Sequence, residues 1–164
     1  MDKLFSPWRS KYIETFSKPN NEGVACVFCE AIRGDDEEHL IIFRGKSSFV
    51  LMNLFPYNSG HIMIVPYRHI QELNDLSTEE SLEVIQLLQK MITALRTASH
   101  PEGFNIGANL GRSAGAGIDR HLHFHLVPRW NGDTNFMPVL ADTKMISEDM
   151  KDTWKKLRNA MKLL

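Results

Sequence analysis

Six consecutive residues, His121-Leu122-His123-Phe124-His125-Leu126, alternate strictly between histidine and apolar side chains. Because a β-strand sends successive side chains to opposite faces, this alternation predicts a strand, which we place at residues 121–128. The apolar side chains would face a core, and the imidazoles would share the other face at a spacing of about 6.5 Å. A half-exposed strand that carries three histidines by chance is the alternative, but imidazoles contribute little to β-packing. Imidazole acts as nucleophile, general acid or metal ligand near neutral pH, so the row predicts a functional site.

A glycine-rich segment lies directly before this strand, at residues 109–117 (Asn-Leu-Gly-Arg-Ser-Ala-Gly-Ala-Gly). Small side chains let backbone N–H groups approach an anion closely, as phosphate sites require. A simple flexible turn has a similar composition. The neighbouring histidine row is what favours a phosphate-binding loop here.

The remaining hydrophobic pattern predicts an α+β fold with a mainly antiparallel sheet. Ser77 and Glu80 have the spacing of a helix capping box, and apolar residues recur at helical spacing over residues 78–98. Further strands are predicted at residues 39–44, 48–53, 61–66 and 104–109, and a second helix at residues 147–163. Strands followed by a helix and then by more strands, without regular βαβ alternation, indicate this fold class.

Length and charge narrow the range of partners. The chain has 164 residues, which suits a single domain. Its formal net charge of -1 argues against a broad electrostatic grip on nucleic acid. No apolar run is long enough to span a bilayer, and the first residues lack the continuous apolar segment of a secretion signal. We therefore expect a cytoplasmic protein that binds a small molecule, with no nucleic-acid or membrane partner.

Two cysteines, Cys26 and Cys29, are separated by two residues. This spacing brings both thiolates to one metal ion. Redox chemistry and two unconnected buried thiols are the alternatives. No thioredoxin-like βαβ pattern surrounds the pair, which weakens the redox alternative without removing it, and no redox cofactor is expected.

The histidine row and the segments before it resemble the histidine triad (HIT) family. Residues 121–127 fit the family motif of His, apolar, His, apolar, His, apolar, apolar, and residues 53–69 look like its upstream half, with Asn53, Pro56-Tyr57-Asn58-Ser59-Gly60-His61 and Ile64-Val65-Pro66-Tyr67-Arg68-His69. The match runs from about Cys26 to Trp130. Residues 6–13, 114–118 and 128–138 are similar to the family's bacterial diadenosine tetraphosphate phosphorylase branch.

This resemblance implies a HIT-like α+β fold, with an antiparallel sheet of about five strands, one long helix and a C-terminal helix. It implies one HIT domain over residues 1–164. We divide that domain into an N-terminal arm and loop at 1–23, the core match at 24–130 and a C-terminal extension at 131–164. The family usually forms homodimers, so we expect one here.

The resemblance also implies a role for each matching residue. His123 would attack the α-phosphorus and become nucleotidylated, His125 would lie beside the phosphate and assist the leaving group, and His61 would support the catalytic strand. Asn53 would meet the ribose hydroxyls. The phosphates would be held by Asn109 and the backbone of Gly115, Ala116 and Gly117.

Some members of the family complete a zinc site with two histidines, at positions that His69 and His121 occupy here. Together with Cys26 and Cys29 they would form a closed tetrahedral site, so we expect structural zinc. The chain departs from many family hydrolases in one respect. Those have a polar Gln or Ser in the glycine loop close before the triad, whereas this chain has Gly-Ala-Gly-Ile at 115–118, with Ser113 as the nearest hydroxyl.

Three functions are consistent with this site. The first is phosphorolysis of diadenosine tetraphosphate to ADP and ATP, with inorganic phosphate as the acceptor that releases the nucleotidyl group. Arg112 and Arg129 are close enough in sequence to help bind that phosphate. The second is hydrolysis of dinucleoside polyphosphates or nucleoside phosphoramidates, with water as the acceptor. The third is a nucleotide-binding regulatory protein, which an intact His123 disfavours.

Overall fold

A single antiparallel sheet organises the described part of the chain, which in this computed structural model comprises residues 25–134, 146 and 148–164. The predicted N-terminal arm lies outside these residues. The sheet has five strands in the order β1-β2-β3-β5-β4. The strands are β1 (Ile41–Arg44), β2 (Ser48–Met52), β3 (Ile62–Pro66), β4 (Gly103–Gly107) and β5 (Phe124–Arg129). The predicted α+β class and antiparallel sheet are confirmed.

Two helices cover one face of the sheet. They are α2 (Thr78–Ser99) and α3 (Met150–Met161), and a short helix, α1 (Val27–Arg33), precedes the first strand. The predicted capping box at the start of α2 is present, with Ser77 accepting from the Glu80 N–H and Glu80 accepting from the Ser77 N–H. The indole N–H of Trp154, on α3, donates to the Ile41 carbonyl at 2.9 Å and ties that helix to the edge strand. Among the residues that the structure describes, no helix combines the length and apolar character needed to cross a membrane.

Strand alternation divides the apolar side chains between two cores. Ile62, Ile64 and Leu126 pack against the two long helices, in the larger core. Met63 and Val65 point to the opposite face, where Phe28 of α1 joins them in a smaller core. The alternation also places His61 and His125 on this second face, which the long helices leave uncovered.

The strand that carries the histidines is shorter than predicted. It begins at Phe124 rather than at residue 121, because pairing with β3 ends at Ile64 and Phe124. The preceding residues are held differently, with the Leu122 N–H donating to the Ile70 carbonyl at 2.7 Å. Likewise the strand predicted at residues 104–109 spans Gly103–Gly107, and the helix predicted at 147–163 spans Met150–Met161 after Asp149 as its N-cap.

Candidate functional site

All three histidines of the alternating row are buried. His121 is 1% exposed, His123 5% and His125 8%. The rings of His123 and His125 are neighbours, with centroids 4.9 Å apart, and His61 lies 5.0 Å from His125 on the other side. The structure therefore brings together the three residues predicted to be catalytic, His61, His123 and His125, on one face of the sheet.

The protonation of His61 and His125 follows from their hydrogen bonds. The backbone N–H of Tyr57 donates to Nδ1 of His61 at 3.0 Å, so that nitrogen carries no proton. Nε2 of His61 therefore holds the proton and donates to Nδ1 of His125 at 2.9 Å. His125 is left neutral with its own proton on Nε2, the nitrogen that can donate to an anionic oxygen.

His123 is oriented by its own neighbour in sequence. Its Nδ1 lies 2.9 Å from the carbonyl oxygen of His121, and because a carbonyl can only accept, Nδ1 must carry the proton. The lone pair is then on Nε2. Burial lowers the pKa of His123, partly offset by this hydrogen bond, so the ring is held in its neutral and nucleophilic form.

Cys26, Cys29, His69 and His121 form a second cluster, and one ligand atom from each lies within 4.8 Å of the others. Nδ1 of His121 is 3.3 Å from Sγ of Cys26, and Nδ1 of His69 is 3.3 Å from Sγ of Cys29. Nε2 of His121 donates to the Pro66 carbonyl at 2.9 Å, which leaves Nδ1 as the unprotonated nitrogen facing the sulfurs. Burial lowers the pKa of His121 to about 4, so its ring is neutral at pH 7. Two sulfur and two nitrogen donors at this separation could hold a metal ion.

The segment that carries His69 is anchored by an ion pair that sequence reasoning did not identify. The Arg68 guanidinium donates to both carboxylate oxygens of Glu80, at 2.7 and 2.6 Å. Together with the Ser77 N–H it lowers the pKa of Glu80 to about 2. Glu80 therefore holds both the start of α2 and the residue next to His69.

The glycine-rich segment forms a compact turn beside the histidines. It starts two residues after Gly107, which pairs with His125 across the sheet. The Asn109 side-chain amide lies 3.4 Å from the Gly115 carbonyl, which it can reach as a donor. The N–H groups of Gly115 and Ala116, predicted to hold phosphate, donate to loop carbonyls at 2.9 and 3.3 Å, while Gly117 is exposed.

Arg112 and Arg129, considered above as aids to phosphate binding, are both held in ion pairs. Arg112 bonds Asp119 at 2.7 Å. Arg129 donates to both oxygens of Asp133, at 2.6 and 2.8 Å, and to the side chain of Asn105. Their geometry gives phosphate binding by these two guanidinium groups no support.

Asp133 also holds the turn that orients His61. Asn58 is 5% exposed, and its amide donates to Asp133 at 2.8 Å and to the Pro128 carbonyl at 3.0 Å. The neighbouring Tyr57 supplies the N–H that bonds His61, and its ring lies 4.6 Å from the His61 ring. Sequence reasoning missed this network because Asn58 and Asp133 are 75 residues apart.

Comparison with known proteins places this site in context. The family model described as the HIT domain matches residues 35–132. The chain is 42% identical over 157 residues to an AP-4-A phosphorylase of Mycobacterium tuberculosis, covering 93% of this chain and 80% of that protein. It is 29% identical over 108 residues to an adenosine 5'-monophosphoramidase of Schizosaccharomyces pombe, covering 66% of this chain and 77% of the relative.

A solved structure has the same fold. The crystal structure of a Zn-bound histidine triad family protein from Mycobacterium smegmatis aligns with a TM-score of 0.69 and 27% identity. The alignment covers 85% of this chain and 94% of that one.

Asp133→Asn is expected to lower the free energy of unfolding at pH 7 by about 1–3 kcal/mol, because it removes a charged hydrogen-bond acceptor from this network. The Arg129 guanidinium holds the pKa of Asp133 well below its ordinary value. The wild type should therefore keep this contribution above about pH 4 and lose it as the pH falls further. Urea denaturation across this range should show that the wild type and Asp133→Asn differ most in free energy of unfolding at pH 7. The difference should become smaller as the pH falls below about 4.

The control is Glu37→Gln. This carboxylate is 56% exposed and 3.9 Å from Lys151, so the change should cost less than about 0.5 kcal/mol. A difference between the wild type and Asp133→Asn that does not vary with pH would contradict the role given to Asp133.

Proposed function

This chain belongs to the histidine triad (HIT) family, and we propose that it transfers a nucleoside monophosphate group through a covalent intermediate on His123. The reaction we propose is phosphorolysis of diadenosine tetraphosphate to ADP and ATP. The observation that carries the proposal is the hydrogen bond from Nδ1 of His123 to the His121 carbonyl, since it leaves Nε2 as a neutral nucleophile.

The hydrogen bonds of the site suggest how the first step proceeds. Nε2 of His123 attacks the α-phosphorus, a P–N bond forms, and the P–O bond to the leaving phosphate chain breaks. The departing oxygen leaves as a phosphate anion and accepts a hydrogen bond from the Nε2–H of His125, whose Nδ1 continues to accept from His61, so that His125 stays neutral. In the second step an unprotonated oxygen of inorganic phosphate attacks the phosphorus, the P–N bond breaks and its electron pair returns to Nε2 of His123, while the phosphate's own proton stays on the new ADP or passes to solvent.

Substrate binding is assigned to the residues on either side of this row. We place the ribose hydroxyls at Asn53, whose side-chain amide lies 3.3 Å from Nδ1 of His61. We place the phosphates at Asn109 and the backbone of Gly115, Ala116 and Gly117. For that, the N–H groups of Gly115 and Ala116 must exchange their bonds within the turn for bonds to phosphate oxygens.

The choice of phosphate over water as acceptor rests on the relatives rather than on the site. The 42% identity to an AP-4-A phosphorylase favours phosphorolysis. The similarity to an adenosine 5'-monophosphoramidase keeps a hydrolase as the second candidate. A purely regulatory nucleotide-binding role is disfavoured, because His123 is held in a reactive orientation.

We further propose that Cys26, Cys29, His69 and His121 bind one structural zinc ion. The donor atoms fit it, and the neutral His121 has its other nitrogen bonded to a carbonyl, as zinc-bound histidines commonly do. Bound there, zinc would supply a rigid cross-link between α1 and the segment before β5. No redox cofactor is part of the proposal.

Three further expectations stay proposals. They are the single domain over residues 1–164, a cytoplasmic location and a homodimer. A homodimer is favoured by β4, which is an edge strand of the sheet and leaves Ile106 51% exposed.

His123→Ala is expected to lower kcat by at least about 10³-fold while nucleotide still binds, because the nucleophile is lost. In the wild type, quenching during turnover with denaturant at alkaline pH, where the P–N bond is stable, should trap an adenylylated peptide that contains His123. His100→Asn is the control. His100 is an exposed histidine with a φ of 49°, a conformation that asparagine tolerates, and this variant should keep normal activity. Near-normal turnover by His123→Ala would refute the covalent mechanism.

The acceptor can be identified from the products. With inorganic phosphate present, diadenosine tetraphosphate should yield ADP and ATP, and without phosphate turnover should nearly stop. Isotopically labelled phosphate should appear in the ADP. Rapid formation of AMP and ATP in phosphate-free buffer would instead identify water as the acceptor and assign the protein to the hydrolases.

Elemental analysis of protein purified without a metal-binding tag should find about one zinc per chain. Cys29→Ser should reduce that content and lower the midpoint of thermal unfolding, since a cross-link is lost. Finding no zinc, with both thiols titrating freely in the native state, would refute the assignment.

A further inference from the structure

We propose that Phe28 is a positioning residue for His123, holding the plane of its imidazole ring from the side of the Cys–His cluster. The proposal rests on the proposed function, in which His123 is the nucleophile. It concerns a side chain that the sequence pattern did not single out.

Phe28 lies between the two clusters of the site. It is the residue just before Cys29 on α1 and is 2% exposed. Its ring centroid is 5.1 Å from that of His123 and 5.4 Å from that of His121. One aromatic ring therefore contacts both the proposed nucleophile and a proposed metal ligand.

A packing contact is needed to fix the orientation of the His123 ring plane. The terminal torsion of a histidine side chain has a broad energy minimum, and the single hydrogen bond from Nδ1 to the His121 carbonyl fixes only one edge of the ring. The ring of His125 packs against it at an interplanar angle of 77°, and Phe28 at 48°. Since His125 itself takes part in the proposed reaction, Phe28 is the ring beside His123 that has no chemical part in it.

Two of these three contacts of His123, the hydrogen bond to His121 and the packing of Phe28, lead back to the Cys–His cluster. The carbonyl that accepts from Nδ1 belongs to His121, whose own Nδ1 is 3.3 Å from Sγ of Cys26. The Phe28 ring is carried by the helix that carries Cys29. A displacement of this helix would therefore move the ring against which His123 packs.

Phe49 provides a matched control. It is fully buried in the same small core as Phe28. Its ring stacks on Tyr67, with centroids 5.5 Å apart. A Phe→Leu substitution at either position removes the same atoms from the same core, but only the one at Phe28 removes the ring that packs against His123.

The test compares Phe28→Leu with Phe49→Leu in the full chain, purified with its metal. The measurements are kcat and KM with diadenosine tetraphosphate and phosphate, metal content, thermal unfolding, and ¹⁵N NMR of the histidine side chains. In Phe28→Leu, kcat should fall about 10- to 100-fold with KM within about twofold, because the nucleophile is displaced and not removed. Its metal content should be unchanged. The ¹⁵N signals of His123 should no longer correspond to one tautomer with the proton on Nδ1. Phe49→Leu should lose similar stability but keep the kcat and His123 signals of the wild type.

Equal kcat values for the two variants, or an unchanged His123 pattern in Phe28→Leu, would overturn the proposal. If Phe28→Leu loses its metal or fails to fold, Phe28→Met fills the space with a flexible apolar chain, and the same outcomes apply to it. If the wild type forms no adenylylated His123, the proposed function fails on its own. The ¹⁵N comparison then decides the role of Phe28, which is supported only if His123 changes in Phe28→Leu and not in Phe49→Leu.

Discussion

Four imidazoles are buried on one side of the sheet, and each must stay uncharged and hydrogen-bonded to be stable there. The backbone meets most of this requirement. Carbonyls accept from His121 and from His123, and an N–H donates to His61, which donates in turn to His125. Each of these bonds fixes one ring nitrogen as a donor or an acceptor. The proposed reaction needs an unprotonated Nε2 on His123 and a protonated Nε2 on His125. The hydrogen bonds that stabilise the buried rings also produce this pattern.

The two faces of the sheet have different roles, one in stability and the other in the proposed chemistry. The long helices cover one face and bury most of the apolar side chains. The other face carries the histidines, and among the described residues the short α1 helix packs on it through Phe28 and Ala31. His125 lies in β5, whereas His61, His121 and His123 lie just outside the strands and are held by hydrogen bonds to the backbone. Phosphate binding by the glycine-rich turn, as proposed, would require N–H groups of this turn to exchange the bonds that they make within it.

Local patterns in the sequence predicted the parts of this site that lie within one element. Alternation placed His123 and His125 on a common face, and the capping box located the start of α2. The spacing of Cys26 and Cys29 indicated a metal cluster, whose histidines came from the family resemblance and lie where it implied. The contacts of Phe28, and the bond between Asn58 and Asp133, join distant segments and leave no periodic signal. β5 begins at Phe124, later than predicted, for a similar reason. Its first residue is set by where its pairing with β3, a distant segment of the chain, ends.

Glu80 illustrates how closely the helical scaffold and the site are joined. The same carboxylate accepts from the Ser77 N–H at the start of α2 and from Arg68, the residue before His69. Opening of the first helical turn would therefore release the segment that brings His69 to the cysteines. We expect the two to open as one cooperative unit, so that the protection of the first α2 amides against hydrogen exchange would report on the occupancy of the Cys–His cluster.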